Sequence, residues 1–474
     1  MSRGRRVAAI AAAVAAASGL AGCGAHLRAA DVALPAAYAG PASGQAQDPE
    51  TPQAFIERWW AGFGDPQLDA LIAQAFRSSP DARAAQASLA EARAVRQGAL
   101  SGFGPQGTPS VSALRQKTRP GEGRADLEVL DWDVSWEIDL IGRRGAARTS
   151  ADATLAAAAF DFEATRVSLA ANVAQALFQA RALETQAREA EETARIAGDL
   201  ARVAKLKADR GILSQADAAS FRAELSSSKA QAAQLKAQAK VQRRALMVLV
   251  GQARDPLDAL PLQHPDLEPP TPPTMAPGQL LIRRPDLRRA QANVEAAAGR
   301  VVSARLAQLP TLSLIPSLTA TRPQDGPTVS VWTLGVNLAA PVLDLPRLRA
   351  QSRLRSAQAE AAVLAYERAV GEAYAETENA LVTFGADRER FVELAEAERQ
   401  AKAAFDAQDQ GFRAGYVDAT ALLQTERVWR QARVSLIAGR AAVLNDAVLA
   451  FKSLGGGWSP AEVTQLASET SHDR

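Results

Sequence analysis

The stretch VLDWDVSWEIDL, residues 129–140, alternates strictly between apolar and polar side chains from Leu130 onward. Such alternation predicts a β-strand with one apolar and one wet face, and its length suits a tilted transmembrane strand. We predict an apolar, lipid-facing set: Leu130, Trp132, Val134 and Trp136, with the tryptophans suited to the membrane interface. We predict a polar, lumen-facing set: Asp131, Asp133 and Glu137. A merely solvated strand face is the alternative interpretation of these carboxylates.

A second stretch, VWTLGVNLAA at 331–340, has the same alternation. Its predicted lipid-facing residues are Trp332, Leu334 and Val336. The pattern is weaker in TLSLIPSLTA at 311–320, and a strand near 110–118 is placed mainly by symmetry. A soluble sandwich sheet is the alternative, but four strands separated by long helical segments would make a poor sandwich.

The chain repeats itself with a nearly constant offset. Ser79-Pro80-Asp81 and Arg284-Pro285-Asp286 are about 205 positions apart, and the pair Asp139-Leu140 recurs as Asp344-Leu345 at the same offset. We predict two structural repeats. The proline-dense segment from 255 to 284 is the natural linker between them.

Each repeat has the same predicted order: a helix, two strands, a very long helix, a glycine turn and a returning helix. The first helices are expected near 66–100 and 285–308. Long helices are expected at about 144–209 and 347–412, each roughly 100 Å long at 1.5 Å per residue, with partners at 215–250 and 419–454. Helix pairs of this length should lie antiparallel as coiled coils. The predicted hairpin tips are at Gly211 and Gly415.

Four strands are too few to close a membrane barrel, because bacterial barrels have eight or more. Open edges in lipid would leave backbone groups unpaired. The barrel must therefore be shared between chains, with eight strands from a dimer or twelve from a trimer, in a closed cyclic oligomer. The long helices would continue the ring as a tube.

The only cysteine among the 474 residues is Cys23, within LAGCG at 20–24. A basic start, a short apolar run and small residues precede it, as in a secretory signal. The stretch is similar to a bacterial lipoprotein signal, so we predict a signal peptide at 1–22 and lipid attachment at Cys23. An ordinary signal with a chance cysteine is the alternative.

Composition excludes several functions. The formal net charge is +2, so no basic excess points to nucleic acid. The single cysteine and three scattered histidines have no metal-ligand spacing. We find no phosphate loop and no hydrolase motif. We therefore expect no metal, no cofactor and no enzymatic activity. The segment GGGW at 455–458 is interpreted as a helix end at which Trp458 packs.

Several stretches together resemble the outer-membrane efflux protein family, the TolC-like channels, and within it the NodT-type lipoproteins. They are WWAGFGDPQLDALIAQA at 59–75, SWEIDLIGRRGAA at 135–147, RRPDLRRAQANVEAAAGRVVSARLAQLPTLSL at 283–314, EAYAETENAL at 372–381 and FKSLGGGW at 451–458. The resemblance implies a homotrimer in the outer membrane, with a shared twelve-stranded β-barrel, a periplasmic α-barrel and an equatorial belt. It also implies docking to a periplasmic adaptor and an inner-membrane pump, most often of the resistance-nodulation-division type.

The chain departs from the family at one turn, where Asp344-Leu345-Pro346 replaces the usual glycine-rich sequence. Pro346 is suited to the first turn of the following helix. With the resemblance, we expect a lipidated segment and belt at 23–64, repeat 1 at 65–254, the linker at 255–284, repeat 2 at 285–455 and a tail at 456–474.

The hairpin tips are the candidate functional sites, because channels of this family are constricted at the periplasmic ends of their helices. The candidates are Asp209, Arg210 and Asp217 in the first repeat and Arg413, Tyr416, Val417 and Asp418 in the second. A ring of Asp418 carboxylates would attract cations, whereas a helix N-cap is the alternative role of this residue.

The leading functional hypothesis is a passive exit duct of a tripartite exporter. A lipid-anchored coiled-coil spacer without a pore is the competing hypothesis. The two-faced strand at 129–140 favours the duct, since a spacer has no use for an apolar strand face.

Overall fold

The computed structural model describes residues 28–38, 56–116, 125–273, 275–323, 326–414 and 416–459. Cys23, the predicted signal peptide and Gly415 lie outside the described residues, as does the tail from 460 onward. The helices of the described part are α1 (Pro66–Ser78), α2 (Pro80–Ser101), α3 (Arg143–Asp209), α4 (Gln215–Leu249), α5 (Leu280–Arg283), α6 (Pro285–Leu306), α7 (Leu345–Arg413) and α8 (Ala419–Ser453). The strands are β1 (Gln106–Gln116), β2 (Ala125–Ile138), β3 (Thr311–Pro323) and β4 (Val329–Ala339).

Two long antiparallel hairpins dominate the molecule. The helices α3 and α7 have 67 and 69 residues, and their partners α4 and α8 have 35 each. Each long helix therefore extends about 100 Å. The buried side of α3 consists mostly of alanines, which lets neighbouring helices approach closely. The predicted fold class, mainly helical with four strands and two similar halves, is confirmed.

One predicted helix is in fact two. The segment expected as a single helix near 66–100 is divided between α1 and α2 at Ser79. Ser79 has an extended backbone (φ −61°, ψ 136°), and its hydroxyl accepts a hydrogen bond from the Asp81 N–H at 3.3 Å. The cause is Pro80, because the residue before a proline avoids the helical conformation.

The four strands form one antiparallel sheet in the order β1-β2-β3-β4. The central pair β2–β3 joins the two halves of the chain, with Asp133 opposite Ser317 and Trp136 opposite Leu314. The ladder has a gap between these pairs, at Pro316, which has no N–H to donate. Within the protomer, β1 and β4 leave their outer edges unpaired with any described strand.

An aspartate lies at each strand–helix junction, but only Asp139 uses its carboxylate to accept backbone hydrogen bonds, since Asp344 makes no side-chain cap hydrogen bond. The Asp139 carboxylate accepts hydrogen bonds from the N–H groups of Gly142 and Arg143, both at 2.8 Å, at the start of α3. Asp344 is the N-cap of α7, and Pro346 occupies its first turn as predicted.

The helix α8 is central to the protein interior. Residues 420–453 are long and apolar enough to cross a membrane, although 44% of the most apolar window is buried within the protein. Its Phe451 is fully buried and stacks on Trp59, with ring centroids 6.0 Å apart. These contacts identify α8 as a core helix of the bundle.

The segment 28–38 lies along α7. Arg28 Nη2 donates to Glu367 Oε2 at 2.8 Å, and its Nε lies 3.4 Å from Glu360 Oε1. At the other end, Tyr38 is buried and stacks on Tyr374 at 5.6 Å. The segment therefore runs toward the sheet end of α7 as its residue numbers fall.

Candidate functional sites at the hairpin tips and in the sheet

The first tip, between α3 and α4, is closed by backbone hydrogen bonds and a serine cap. Gly211 has φ +72°, a conformation that glycine adopts without strain, and the Ile212 N–H donates to Lys207 O at 2.8 Å. Ser214 caps α4: its Oγ accepts from the Asp217 N–H at 3.0 Å and donates to the Asp217 carboxylate at 2.7 Å. These two contacts fix the start of α4 directly after the turn.

The other two candidates of the first tip are exposed. Asp209 is the last residue of α3 and pairs with Lys205 Nζ at 3.0 Å. Arg210 is the C-cap of the same helix. Both residues are exposed where α3 ends and the turn begins.

The second tip, between α7 and α8, presents an exposed tyrosine. Tyr416 is 89% exposed, and its N–H donates to Gly411 O at 2.8 Å. Val417 is half-buried and packs so tightly on Gly411 that a Cβ there would stand 2.7 Å from Val417 Cγ2. Arg413 is the last residue of α7. Asp418 Oδ1 accepts from the Ala421 N–H at 2.9 Å, so Asp418 is the N-cap of α8.

The two tips lie side by side. The Lys207 ammonium lies 5.6 Å from the centroid of the Phe412 ring, which joins the end of α3 to the end of α7. A small apolar cluster joins the hairpins too: Leu423 of α8 packs with Leu213 and Phe221 of the first hairpin. Neither contact is predictable from the sequence, because each depends on how the two hairpins pack.

A network of charged groups lies further along α8 from the tip. Arg430 and Arg433 donate to Glu189 of α3 at 3.2 and 2.8 Å. Arg427 pairs with Glu224 of α4. The Trp429 Nε1–H donates to Glu398 of α7 at 2.9 Å. The helix α8 therefore makes polar contacts with all three other helices of the two hairpins.

Glu426 is the buried member of this network, 6% exposed. Burial raises the pKa of its carboxyl, and the Arg430 guanidinium opposes that shift. The Trp429 ring stacks on the Phe405 ring, with the ring centroids 4.9 Å apart. The Arg430 guanidinium lies over the Trp429 ring, with its Cζ atom 4.4 Å from the ring centroid. These contacts hold the hairpins together below the tips.

The sheet separates apolar from polar side chains as the alternation predicted. Trp132 is opposite Leu318, which is opposite Trp332, so these three share a face. Opposite residues of paired strands point to the same side. The other predicted members of this apolar face, at alternate positions on β2 and β4, are Leu130, Val134, Trp136, Leu334 and Val336. All are exposed in the protomer except Val134, which is half-buried.

The predicted acidic residues occupy the opposite face. Asp133 is opposite Thr108 and Ser317, and Glu137 is opposite Ser313. Asp131 shares this face by alternation. Glu137 pairs with the Arg143 guanidinium at 3.2 Å, a contact across the strand–helix junction that the sequence pattern did not reveal.

The described residues contain no group of histidine, cysteine, aspartate and glutamate side chains suited to a metal. His264, the one histidine in the described ranges, lies 3.1 Å from Glu184 Oε2. Burial lowers its pKa, as does the nearby Arg188 charge, while Glu184 opposes the shift. Trp458 is 5% exposed and donates to Arg283 O at 2.6 Å, which fits the predicted packing at a helix end.

Comparison with known proteins covers most of the chain. Residues 71–252 and 276–456 match the sequence model of the family described as "Outer membrane efflux protein". The chain is 30% identical over 417 residues to the pyoverdine export outer membrane protein OpmQ of Pseudomonas aeruginosa, a match covering 85% of this chain and 88% of that protein. It is 32% identical to OpmQ of Pseudomonas putida, over 90% of this chain and 93% of the relative.

Solved structures have the same fold. The outer-membrane channel OprN matches with a TM-score of 0.80 and 29% identity, over 92% of this chain and all of that one. The CmeC outer membrane channel of Campylobacter jejuni matches with a TM-score of 0.85 over 94% of this chain and 98% of that one, at 21% identity, which speaks for the fold alone.

Proposed function

Because the chain belongs to the outer membrane efflux protein family, and is thus an outer-membrane channel of an efflux pump, we propose how its parts perform that function. The proposal is a passive exit duct built by three copies of the chain, tethered by lipid at Cys23 and constricted at its hairpin tips. The observation that carries it is the arrangement along the molecule: a two-faced sheet at one end of hairpins about 100 Å long, and paired tips at the other.

The open sheet edges require several copies of the chain, and the family resemblance implies that there are three. Each protomer supplies four strands with open edges at β1 and β4, and a sheet in lipid must pair every edge. Three copies closing β4 of one protomer onto β1 of the next would give twelve strands, within the range of bacterial barrels. In this arrangement the Trp132–Trp332 face meets lipid, and the face with Asp131, Asp133 and Glu137 meets the lumen.

Lipid attachment at Cys23 is supported by the course of segment 28–38. Glu360, which pairs with Arg28, lies about 23 Å along α7 from its first residue. The five residues from Cys23 to Arg28 can span about 17 Å. A lipid on Cys23 could therefore reach the membrane surface beside the sheet.

The duct has no energy source of its own, so an inner-membrane pump must drive transport through a periplasmic adaptor. A pump of the resistance-nodulation-division type is the proposed partner, as the family resemblance implies. The names of the relatives span different cargoes, from pyoverdine to toluene. We therefore propose that the pump selects the cargo and the duct conducts what it receives.

Single-channel recording in planar bilayers tests the duct and its gate. Asp418→Asn retains an N-cap acceptor but loses the charge, whereas Asp418→Ala loses both. If Asp418 forms a charged constriction, both variants lower the preference for cations over anions, and the alanine variant also raises leak conductance because the tip loosens. Ser214→Ala in the first tip is the matched control, since it removes a cap without removing a charge.

Two outcomes would contradict the proposal. Unchanged ion selectivity in both Asp418 variants would show that Asp418 is a cap only. Folded trimers without any channel activity would remove the duct in favour of a spacer.

A further inference from the structure

The rim where the sheet meets the long helices exposes large apolar side chains. Leu140, two residues after β2, is 69% exposed. Val342 and Leu343, shortly after β4, are 68% and 97% exposed. Both places are returning connections from the sheet, so they lie at the same end of it. Exposed apolar residues of this size, side by side with a membrane sheet, mark a surface that contacts another phase or molecule.

Arginines follow these apolar residues at once in both halves of the chain. The helix α3 begins Arg143-Arg144, and the first three turns of α7 contain Arg347, Arg349 and Arg353. Neither helix has an acidic residue in its first turn. Cations at a helix start are disfavoured by the helix dipole, so local helix stability does not account for them.

Among the residues that the structure describes, two of these arginines have an ion-pair partner and three have none. Arg143 pairs with Glu137 at 3.2 Å and Arg347 with Asp344 at 3.4 Å. Arg144, Arg349 and Arg353 are exposed and form no ion pair with a described residue. The rim therefore carries a surplus of positive charge that the described residues do not neutralise.

A neighbouring pair of arginines strengthens this surplus. Burial and the Arg355 charge beside it both lower the pKa of Arg300 on α6, burial being the larger effect. Arg355 contacts only the neutral Gln358 amide, at 2.9 Å, among the hydrogen bonds of the described residues. Positive potential thus extends from α7 onto α6.

We propose that Arg144, Arg349 and Arg353 bind the phosphate groups of anionic phospholipids in the inner leaflet of the outer membrane, while Leu140, Val342 and Leu343 contact the adjoining acyl chains. The sheet belongs in the membrane, so the rim lies at the periplasmic lipid surface. Trp136 lies two residues before the end of β2 on the apolar face, a usual position for an interfacial tryptophan.

The depths of the arginines suit this contact. Arg144 is the second residue of α3, and Arg349 and Arg353 are the fifth and ninth residues of α7. Their Cα atoms therefore lie about 2 to 12 Å from the helix starts. The headgroup layer is about 5–8 Å thick, and a long arginine side chain can reach back toward it.

Electron paramagnetic resonance of spin-labelled lipids tests the proposal. Trimers are reconstituted in phosphatidylcholine bilayers that contain a trace of spin-labelled phosphatidylglycerol or phosphatidylcholine. The wild type should prefer phosphatidylglycerol, and the preference of the rim sites should fall by about fivefold for each arginine replaced at low salt. The series is R144Q, R144Q/R349Q and R144Q/R349Q/R353Q. Raising the salt should weaken the wild-type preference because it screens the charges.

The control variant is R222Q/R254Q/R388Q. It removes the same charge from three exposed arginines that form no ion pair with a described residue. Arg388 lies about 65 Å along α7 from the rim. This control should keep the wild-type lipid preference.

Three results would overturn the proposal. The first is a wild type with no preference for phosphatidylglycerol over phosphatidylcholine. The others are a triple rim variant and a control variant that keep the same preference, or that lose the preference to the same extent. A rim variant with a lower melting temperature but an unchanged preference would show instead that the arginines contact another subunit. If the triple variant does not fold, R144Q and R349Q alone still have to lower the preference.

Discussion

Gly251, just after α4, lies against the backbone carbonyl of Ser78, so that a Cβ on Gly251 would stand 2.6 Å from the Ser78 oxygen. The second half of the chain repeats this relationship between Gly455 and Arg283, where the distance would be 2.7 Å. Both glycines have φ +79°. In each half, the end of the returning helix is therefore fixed against the chain just before the proline-initiated helix.

These contacts predict that adding one methyl group at either glycine strongly destabilises the folded protein. Gly251→Ala and Gly455→Ala should each lower the free energy of unfolding by about 2 kcal/mol or more, since a left-handed alanine and a clash with backbone both cost energy. Gly371→Ala is the control, because Gly371 lies within α7 with nothing near its Cβ position. It should be neutral or stabilise by about 1 kcal/mol. Thermal melting of purified protein would measure this, and equal melting temperatures for all three variants would contradict it.

A carboxyl pair between α7 and α8 predicts a dependence of stability on pH. Burial, with the nearby Asp387, raises the pKa of Asp446 to about 6, against an ordinary value of 3.8. The folded state therefore holds a proton that the unfolded chain releases, and stability falls as the pH rises from about 4 through about 6. Arg390 pairs with Asp387 at 3.3 Å.

The test is Asp446→Asn. At pH 7.5 the free energy of unfolding of the variant should exceed that of the wild type by about 1 kcal/mol, after allowance for solvent screening, and its melting temperature should be higher. Near pH 4 this difference should vanish. Asp258→Asn, which removes an exposed carboxylate elsewhere, should leave the pH profile unchanged. A wild-type profile that is flat between pH 4 and 7 would refute the interpretation.

The buried pair of Arg181 and Asp65 predicts a non-additive mutant cycle. Arg181 donates to Asp65 and, at 2.9 Å, to Gln67 Oε1, while Asp65 Oδ1 also accepts from the N–H groups of Gln67 and Leu68. Arg181→Met leaves the buried Asp65 carboxylate without its counter-charge and should cost about 3–5 kcal/mol. Asp65→Asn/Arg181→Met should cost less, because asparagine still caps α1. Denaturant midpoints would measure the cycle, and simple additivity would argue against a buried ion pair.

The contact of Lys207 with Phe412 predicts coupling between the two tips. Lys207→Gln and Phe412→Ala should each raise leak conductance, since both remove the cation–π contact, which is worth about 0.5–1 kcal/mol at an exposed site. Lys207→Arg should retain wild-type conductance. Lys229→Gln, on the exposed side of α4, serves as the charge control. If Lys207→Gln and Lys229→Gln behave alike, the tips are not coupled through this contact.

Lipid attachment at Cys23 predicts that its removal lowers the amount of inserted trimer without abolishing insertion. Cys23→Ser behind a standard cleavable signal should still yield trimers inserted in the outer membrane, in smaller amounts, because the strands and not the lipid span the bilayer. Membrane fractionation with heat-modifiability of the trimer would measure insertion. A variant found wholly soluble in the periplasm would mean that Cys23 is the sole attachment to the membrane.

The helices and strands were largely predictable because their signals are local. Alternation at 129–140 depends on which face of a strand each residue occupies, and the long proline-free segments depend on helix geometry. The split at Ser79 could also have been read from Pro80. The position of Asp418 as an N-cap follows from its place before α8, whereas its proposed role in a constriction depends on how three tips meet.

The sequence by itself determined the two repeats, the hairpins, the two-faced strands and the family, since periodicity and spacing survive without any knowledge of distant contacts. Only the tertiary structure decided which residues meet across elements: Lys207 with Phe412, Glu137 with Arg143, and Gly251 with Ser78. The physical reason is that such contacts join residues far apart in the chain. Their distances are set by helix packing and strand register, and no local pattern records them.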